Sequence, residues 1–152
     1  MEASRQRATL AVTSIAIAIA LALLVARPAL GQEASTMKIR LTIGGKAVEA
    51  TLLDNSSARD FHSMLPMTLT LKDYAATEKI ADLPRKLSTA DAPEGVDPAV
   101  GDITYYAPWG NLAIFYRDFG YAKGLVKLGR IDSGIEALGV PGALKVTIEP
   151  LE

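Results

Sequence analysis

The residues with the greatest capacity for ligand binding in this sequence are aromatic and lie close together. Seven of the nine aromatic residues in the 152-residue chain fall between positions 104 and 121. Aromatic rings offer large apolar faces, and tyrosine and tryptophan add a polar group at one end. The seven are Tyr105, Tyr106, Trp109, Phe115, Tyr116, Phe119 and Tyr121.

This aromatic cluster has two interpretations. Side chains alternate across the strands predicted at 101–107 and 112–118, so both faces of this hairpin carry aromatics. One set must belong to the core, and the other lies outside or beneath a loop. The functional interpretation is a rim pocket for a small molecule or peptide, in which Arg117 or Arg130 pairs with a carboxylate. Its candidate ligand-binding residues are Tyr106, Trp109, Arg117, Tyr121 and Arg130.

The alternative interpretation is that all of these aromatics are packing residues. Small β domains commonly fill their cores with such side chains, and apolar residues on a surface need no functional explanation by themselves. The sequence alone favours this commoner interpretation, and the pocket is the more specific hypothesis beside it.

Groups suited to catalysis are few. The single histidine, His62, lies on a predicted helix, where its sequence neighbours point about 100° away and cannot form a relay with it. Aspartates near the ends of strands are explained by local hydrogen bonds in turns. We predict no catalytic residue. The aspartates in question are Asp102, Asp118 and Asp132.

The composition excludes several classes of function. There is no cysteine and only one histidine, which argues against thiol catalysis and against zinc sites built from Cys or His. We therefore predict no metal and no cofactor. The chain has 16 basic and 17 acidic residues and no basic stripe, so nucleic acid is not an expected partner.

The first 31 residues have the layout of a secretory signal peptide. Two early arginines precede an uncharged apolar run from 8–26, and Ala29 and Gly31 are spaced like a cleavage site. The run is also long enough to cross a hydrocarbon layer of about 30 Å, so an uncleaved membrane anchor is the alternative. Both interpretations predict export, to the periplasm or the exterior of a bacterial cell. With the leader cleaved, no membrane partner is expected.

A short flexible lead is predicted at 32–36. After it, apolar and polar residues alternate with a period of two, which predicts the strands that would position the aromatic cluster. Gly44 and Gly45 predict a tight hairpin turn, and Gly129 a possible bulge. We expect one helix at 54–65. A short helical turn is predicted at 133–140, and loops at 85–100 and 119–124. The predicted strands are 37–43, 47–53, 67–72, 78–81, 101–107, 112–118, 125–132 and 143–150.

These elements predict one mainly β domain at 37–152. About eight short strands, mostly antiparallel and linked by hairpins, must hide their edges by closing into a barrel or folding into a sandwich. Eight strands close a barrel whose interior side chains just fill. We predict a closed antiparallel β-barrel with one helix and one short helical turn, stabilised by core burial without disulfides.

Three segments resemble the small prokaryotic cyclophilin-like fold proteins, and the similarity covers nearly all of 37–149. The resemblance implies a closed, mainly antiparallel barrel capped by one or two helices. Members of this family are mostly of unknown function, and many lack a leader. The segments are the opening "MKIRLTIGGKAVEATLLDN" with "ARDFHSMLPMTLTLKDY", then "GDITYYAPWGNLAIFYRDF", and then "GLVKLGRID".

The resemblance to true cyclophilins, the peptidyl-prolyl isomerases, is one of fold only. Their active site combines an arginine after a strand, a glutamine in an F-x-x-Q-type segment and an apolar pocket with a histidine. The only glutamines here are Gln6 and Gln32, and neither lies in a predicted strand. Arg117 stands beside aromatics without a matching motif. We expect a non-enzymatic binding domain. The alternatives are an isomerase with an atypical site and a periplasmic interaction or structural protein.

Overall fold

The computed structural model describes residues 36–152. The predicted leader at 1–31 and most of the predicted lead at 32–36 lie outside the described residues. Within the described part, no helix has both the length and the apolar character needed to cross a membrane.

Eight of the ten strands within residues 36–152 close into a single antiparallel barrel, in the order β1-β10-β3-β4-β7-β6-β9-β2. The remaining pair, β5 and β8, forms a separate two-stranded sheet. The predicted barrel of about eight strands is confirmed. In chain order the elements are β1 (Met37–Ile43), β2 (Lys46–Leu52), α1 (Ser56–His62), β3 (Met67–Tyr74), β4 (Glu78–Asp82), β5 (Gly95–Val96), β6 (Asp102–Tyr106), β7 (Asn111–Phe115), β8 (Ala122–Lys123), β9 (Leu125–Ile131), a 3-10 turn (Ile135–Ala137) and β10 (Leu144–Pro150).

The differences from the predicted elements are local. The helix begins at Ser56 because Asn55 caps it by accepting a hydrogen bond from the amide of Ala58 at 2.8 Å, and it ends at His62, before the predicted end at 65. The helical turn at 133–140 is reduced to a single 3-10 turn. The segments 85–100 and 119–124 are not wholly loop, since each contributes one strand of the β5–β8 sheet.

The hairpin of β1 and β2 forms as predicted. Ile43 pairs with Lys46 across a two-residue turn. Gly44 and Gly45 have φ values of 54° and 84°, which glycine adopts without steric cost.

The barrel interior is filled by alternate residues of its strands. Ile39 and Leu41 of β1 have no exposed surface, and the same holds for Leu112 and Ile114 of β7. The buried Phe61 of α1 joins the same cluster, so the helix packs against the barrel core. The core is therefore stabilised by apolar packing, which is expected because a chain without cysteine forms no disulfide bonds.

A buried lysine lies in this barrel. The ammonium group of Lys79 on β4 is fully buried and donates to the carbonyl oxygens of Val140 and Gly142, at 2.7 and 2.8 Å. It also contacts a carboxylate oxygen of Asp73 at 2.8 Å. Hydrogen bonds from Lys79 and from the Gly142 amide hold the pKa of the Asp73 carboxyl below its ordinary value. These contacts fasten the segment before β10 to the β3–β4 hairpin.

Closure of the barrel depends on a glycine. Between β6 and β9 the register shifts, because Ile103 pairs with Gly129 while Thr104 pairs with Lys127. This irregularity confirms the predicted bulge. Gly129 also pairs with Leu52 of β2. A Cβ atom at Gly129 would lie only 2.4 Å from the carbonyl oxygen of Thr51.

Replacing Gly129 with alanine should therefore force apart the strands that close the barrel. We expect the free energy of unfolding to fall by about 2–3 kcal/mol, the upper part of the range for overpacking. Chemical denaturation measures this. The matched control is Gly120→Ala, where an added Cβ meets nothing within 4 Å, and a change of no more than about 1 kcal/mol is expected. If both substitutions lowered the free energy of unfolding equally, the close packing of β9 against β2 at Gly129 would be contradicted.

Candidate ligand-binding site

The β6–β7 hairpin is buried on both faces. On the inner face, Ile103 and Tyr105 belong to the barrel core, and the Tyr105 hydroxyl oxygen accepts a hydrogen bond from the Leu87 amide at 3.2 Å. On the outer face, Phe115 and Ala113 form a second cluster together with Leu125 of β9. Aromatic side chains thus occur on both faces of the hairpin, as the alternation predicts.

The outer face is covered by the small sheet of β5 and β8. Val96 pairs with Ala122 and packs against the second cluster. Gly95 lies so close to β8 that a Cβ atom would be 2.4 Å from the Ala122 carbonyl oxygen. The Gly124 amide donates to the Glu94 carbonyl at 2.8 Å. These contacts fix the end of the segment between β7 and β9 over the outer face.

A pocket of about 450 Å³ lies beside this cover. Its volume is within the range typical of small-molecule sites, and such sites combine apolar walls with a few polar groups. Six aromatic side chains line it: Tyr74, Tyr106, Trp109, Phe115, Phe119 and Tyr121. The other lining residues are Glu78, Asn111, Ala122, Lys123 and Leu125.

The aromatic rings contact one another but stay open to solvent. Trp109 meets Tyr74 and Tyr106 edge to face, with ring centroids 5.6 and 5.4 Å apart. Phe119 lies over Phe115 with centroids 5.7 Å apart. Nevertheless Trp109 is 58% exposed and Phe119 is 48% exposed. Phe115 itself is buried, but an exposed patch that includes Trp109, Phe119 and Tyr121 is unusual for a surface that has no partner.

The pocket lining contains one acidic residue, Glu78, and one basic residue, Lys123. Burial raises the pKa of the Glu78 carboxyl above its ordinary value, and the Thr77 hydroxyl offsets part of this effect. None of the ion pairs found within residues 36–152 involves Glu78. Lys123, in contrast, pairs with Glu94 at 2.6 Å. Within the described residues, Glu78 is therefore the charged lining residue that has no ion-pair partner.

Asn111 adds an acceptor that has no donor. Its side chain is 3% exposed, and its Nδ2 donates to the Leu112 carbonyl at 3.1 Å. Its Oδ1 has no hydrogen-bond partner in the part of the chain that the structure describes. A buried polar atom without a partner is costly, and each such case needs an explanation.

The five candidate residues from the sequence do not all meet. Tyr106, Trp109 and Tyr121 line the pocket together. Arg117 is exposed and is not a lining residue, and its backbone amide bonds to the Thr77 carbonyl at 3.1 Å.

Arg130 also lies outside the pocket lining. Its guanidinium is 3.9 Å from the buried Asp102 carboxylate, which Lys127 contacts at 2.9 Å. The arginines expected to pair with a ligand carboxylate are thus not among the residues that line the cavity.

Sequence reasoning missed two residues that matter to this pocket, Tyr74 and Glu78. They are opposite each other in the β3–β4 pair, and Glu78 is opposite Phe115 in the β4–β7 pair. The available signal was the outward position of Glu78 on a strand next to the aromatic hairpin. That signal can be recognised only when β4 is known to pair with β7, and the sequence does not specify this pairing.

A smaller cavity of about 240 Å³ lies beside α1, and its lining includes Asn55, Asp91 and Lys127. The Asp91 carboxylate accepts a hydrogen bond from the Ser56 amide at 3.1 Å, and the Asn55 side chain donates to the Lys127 carbonyl at 3.1 Å. These polar groups are occupied in holding the helix. Within residues 36–152, no three His, Cys, Asp or Glu side chains come together as a metal site would require.

Replacing Glu78 with glutamine should stabilise the protein at neutral pH, because burial penalises the charged carboxylate. The folded pKa is raised, so the contribution of Glu78 to stability is full below its unfolded pKa and is lost as the pH rises through the folded pKa. Glu78→Gln should exceed wild type in free energy of unfolding at about pH 7 and lose this advantage at about pH 3. Denaturation at both pH values tests this, with the exposed Glu136→Gln as control. A variant less stable than wild type at neutral pH would refute the assignment.

Comparison with known proteins agrees with this fold. A family model described as the cyclophilin-like family matches residues 41–149. The solution structure of a hypothetical protein from Archaeoglobus fulgidus is similar, with a TM-score of 0.62 and 18% identity over 79% of this chain and 98% of that chain. At this identity the likeness concerns the fold alone. A search of curated proteins found no match. The match over most of the described barrel identifies the chain as a member of the cyclophilin-like family.

Proposed function

We propose that this domain binds a small molecule or a peptide segment in the aromatic pocket and performs no catalysis there. One observation carries the proposal: six aromatic side chains surround a cavity of about 450 Å³ on the outer face of a barrel whose interior is already filled. Ligand sites have this combination of size and apolar lining.

The packing alternative explains only part of the aromatic cluster. Tyr105 and Phe115 are buried and stabilise the two sides of the hairpin. Tyr121 is 60% exposed, and Trp109 is exposed to a similar degree, so neither ring is used as core. Apolar rings held open to water cost free energy that a bound ligand would recover by covering them.

Ligand binding can be followed through Trp109, because it is the only tryptophan in the chain. Small metabolites and proline-containing peptides would be screened by thermal shift and by tryptophan fluorescence. A true ligand should raise the melting temperature and change the emission. Trp109→Ala should weaken binding at least about tenfold, as expected for a central aromatic contact. The control is Val140→Ala, which removes an exposed apolar side chain outside the pocket.

Three results would overturn the binding proposal. If no compound shifts the melting temperature, or if Trp109→Ala leaves the shift intact, an interaction or structural role becomes the better account. If a proline peptide is instead isomerised, and Arg117→Ala abolishes that catalysis, the protein is an isomerase with an atypical site.

We also propose that the protein is exported through its first 31 residues. The support is the order of basic residues, apolar run and small-residue site in the sequence. Expressed in a bacterium with its full sequence, the protein should be recovered from the periplasm or the medium. N-terminal sequencing should then begin at Gln32. Recovery of the uncleaved chain in the membrane fraction would favour the anchor, and recovery from the cytoplasm would contradict export.

A further inference from the structure

We infer that the ligand of the aromatic pocket carries an organic cation, either a protonated or an alkylated amine, which Glu78 and the surrounding aromatic rings recognise together. This inference rests on the proposed function, because it names the chemistry of the ligand at that same site. It reverses the charge expected from the sequence, in which arginines would have paired with a carboxylate.

The first support is the charge of the pocket. Glu78 is partly buried and takes part in none of the ion pairs found in residues 36–152. The one basic residue in the lining, Lys123, is exposed and pairs with Glu94 at 2.6 Å. A carboxylate partly removed from water without a cationic partner is unfavourable, and a ligand cation would supply that partner.

The second support is the arrangement of rings around that carboxylate. Tyr74 and Phe115 are the cross-strand neighbours of Glu78 on its two sides. Directly opposite residues have Cβ atoms about 4.5–5.5 Å apart, so one ligand group can contact all three. Trp109 joins this group through its edge-to-face contact with Tyr74. The faces of aromatic rings attract cations, and groups of such rings bind quaternary ammonium ions.

An anionic ligand would meet the opposite conditions. The ring faces are negative, and the carboxylate of Glu78 would repel it. Arg117 and Arg130 do not line the cavity, and Lys123, which does, is exposed and already paired with Glu94. The electrostatics of the lining therefore discriminate between the two signs of charge.

Asn111 is a polar residue of the pocket lining that lies apart from Glu78. It precedes Phe115 by four residues on β7, a distance of about 13 Å along a strand. Its Oδ1 is an acceptor without a donor in the described chain. Because this Oδ1 is itself buried, a ligand could reach it only after a local movement of the protein, so Glu78 and the rings carry the recognition.

The test compares a cation with its neutral isostere. Choline and 3,3-dimethyl-1-butanol have nearly the same shape, but only choline is charged. Each is titrated into the protein without its leader (residues 32–152) by calorimetry and by Trp109 fluorescence. Choline should bind at least about tenfold more tightly, which corresponds to the strength of a partly desolvated cation–π contact.

Substitution of Glu78 isolates the role of the carboxylate. Glu78→Gln keeps the shape of the side chain and should weaken choline binding about tenfold, while binding of the neutral isostere stays within twofold of wild type. Glu136→Gln is the matched control, since Glu136 is exposed on the 3-10 turn and does not line the pocket. It should leave both affinities unchanged.

The pH profile gives an independent readout, because the charge of choline is fixed. The pKa of Glu78 is raised, so choline affinity should fall as the pH is lowered through that pKa. The other titratable lining residues are tyrosines and Lys123. Glu94, the partner of Lys123, lies outside the lining, as do Asp73, Asp82 and Asp118. The profile should become flat in Glu78→Gln; a profile that persists in this variant would overturn the inference.

The remaining outcomes separate this inference from the proposed function. If the neutral isostere binds as well as choline, the pocket binds ligands but the cation inference is wrong. If choline does not bind while a neutral proline peptide does, the inference likewise fails and the binding function stands. If a lysine-containing peptide binds and the same peptide with norleucine does not, the cation inference holds and the source of the cation is a peptide. If neither charged probe binds, the inference fails.

Discussion

Closure of the barrel is the constraint on which the rest of the structure depends. In a closed sheet every residue of a strand must face either the interior or the outside, and a shift of one residue exchanges the two sets. The interior of this barrel is filled by aliphatic side chains with Tyr105 and Phe61. Any further apolar side chain must therefore be accommodated on the outside.

The outer face of the β4–β7–β6 sheet follows from this constraint. Phe115 points away from the barrel core and needs cover, which Leu125, Val96 and Ala122 supply. The cover is incomplete, since the small β5–β8 sheet has only two residue pairs. The uncovered part is the pocket, and its walls are aromatic because the hairpin and the segment after it carry most of the aromatic residues of the chain.

Much of the barrel could be predicted because long strands carry a clear period of two. The β1–β2 hairpin, its Gly44-Gly45 turn and the bulge at Gly129 are confirmed. Strands β5 and β8 were not predictable, since two residues have no periodicity. Strand β4 gave a weak signal for a specific reason. Lys79 occupies an inward position, and its burial is possible because two distant carbonyl groups accept its hydrogen bonds and Asp73 pairs with it.

The candidate site was predictable only in part, for a related reason. Tyr106, Trp109 and Tyr121 are close in sequence, so a search for clustered aromatics finds them. Tyr74 and Glu78 come from another hairpin and join them only through the β3–β4 and β4–β7 pairings. The direction of Arg117 depends on the course of the chain after β7, where alternation ends, so the sequence could not specify whether it faces the pocket.

The claim that the outer face of the barrel is the ligand surface is tested most directly by locating a bound probe. Amide and indole resonances of the isotopically labelled protein would be followed by NMR as choline is added. The account predicts that the shifted resonances belong to Glu78, to the Trp109 indole and to the segment 119–123. Shifts confined to the cavity beside α1 or to the barrel end at 140–142, with the Trp109 indole unchanged, would contradict it.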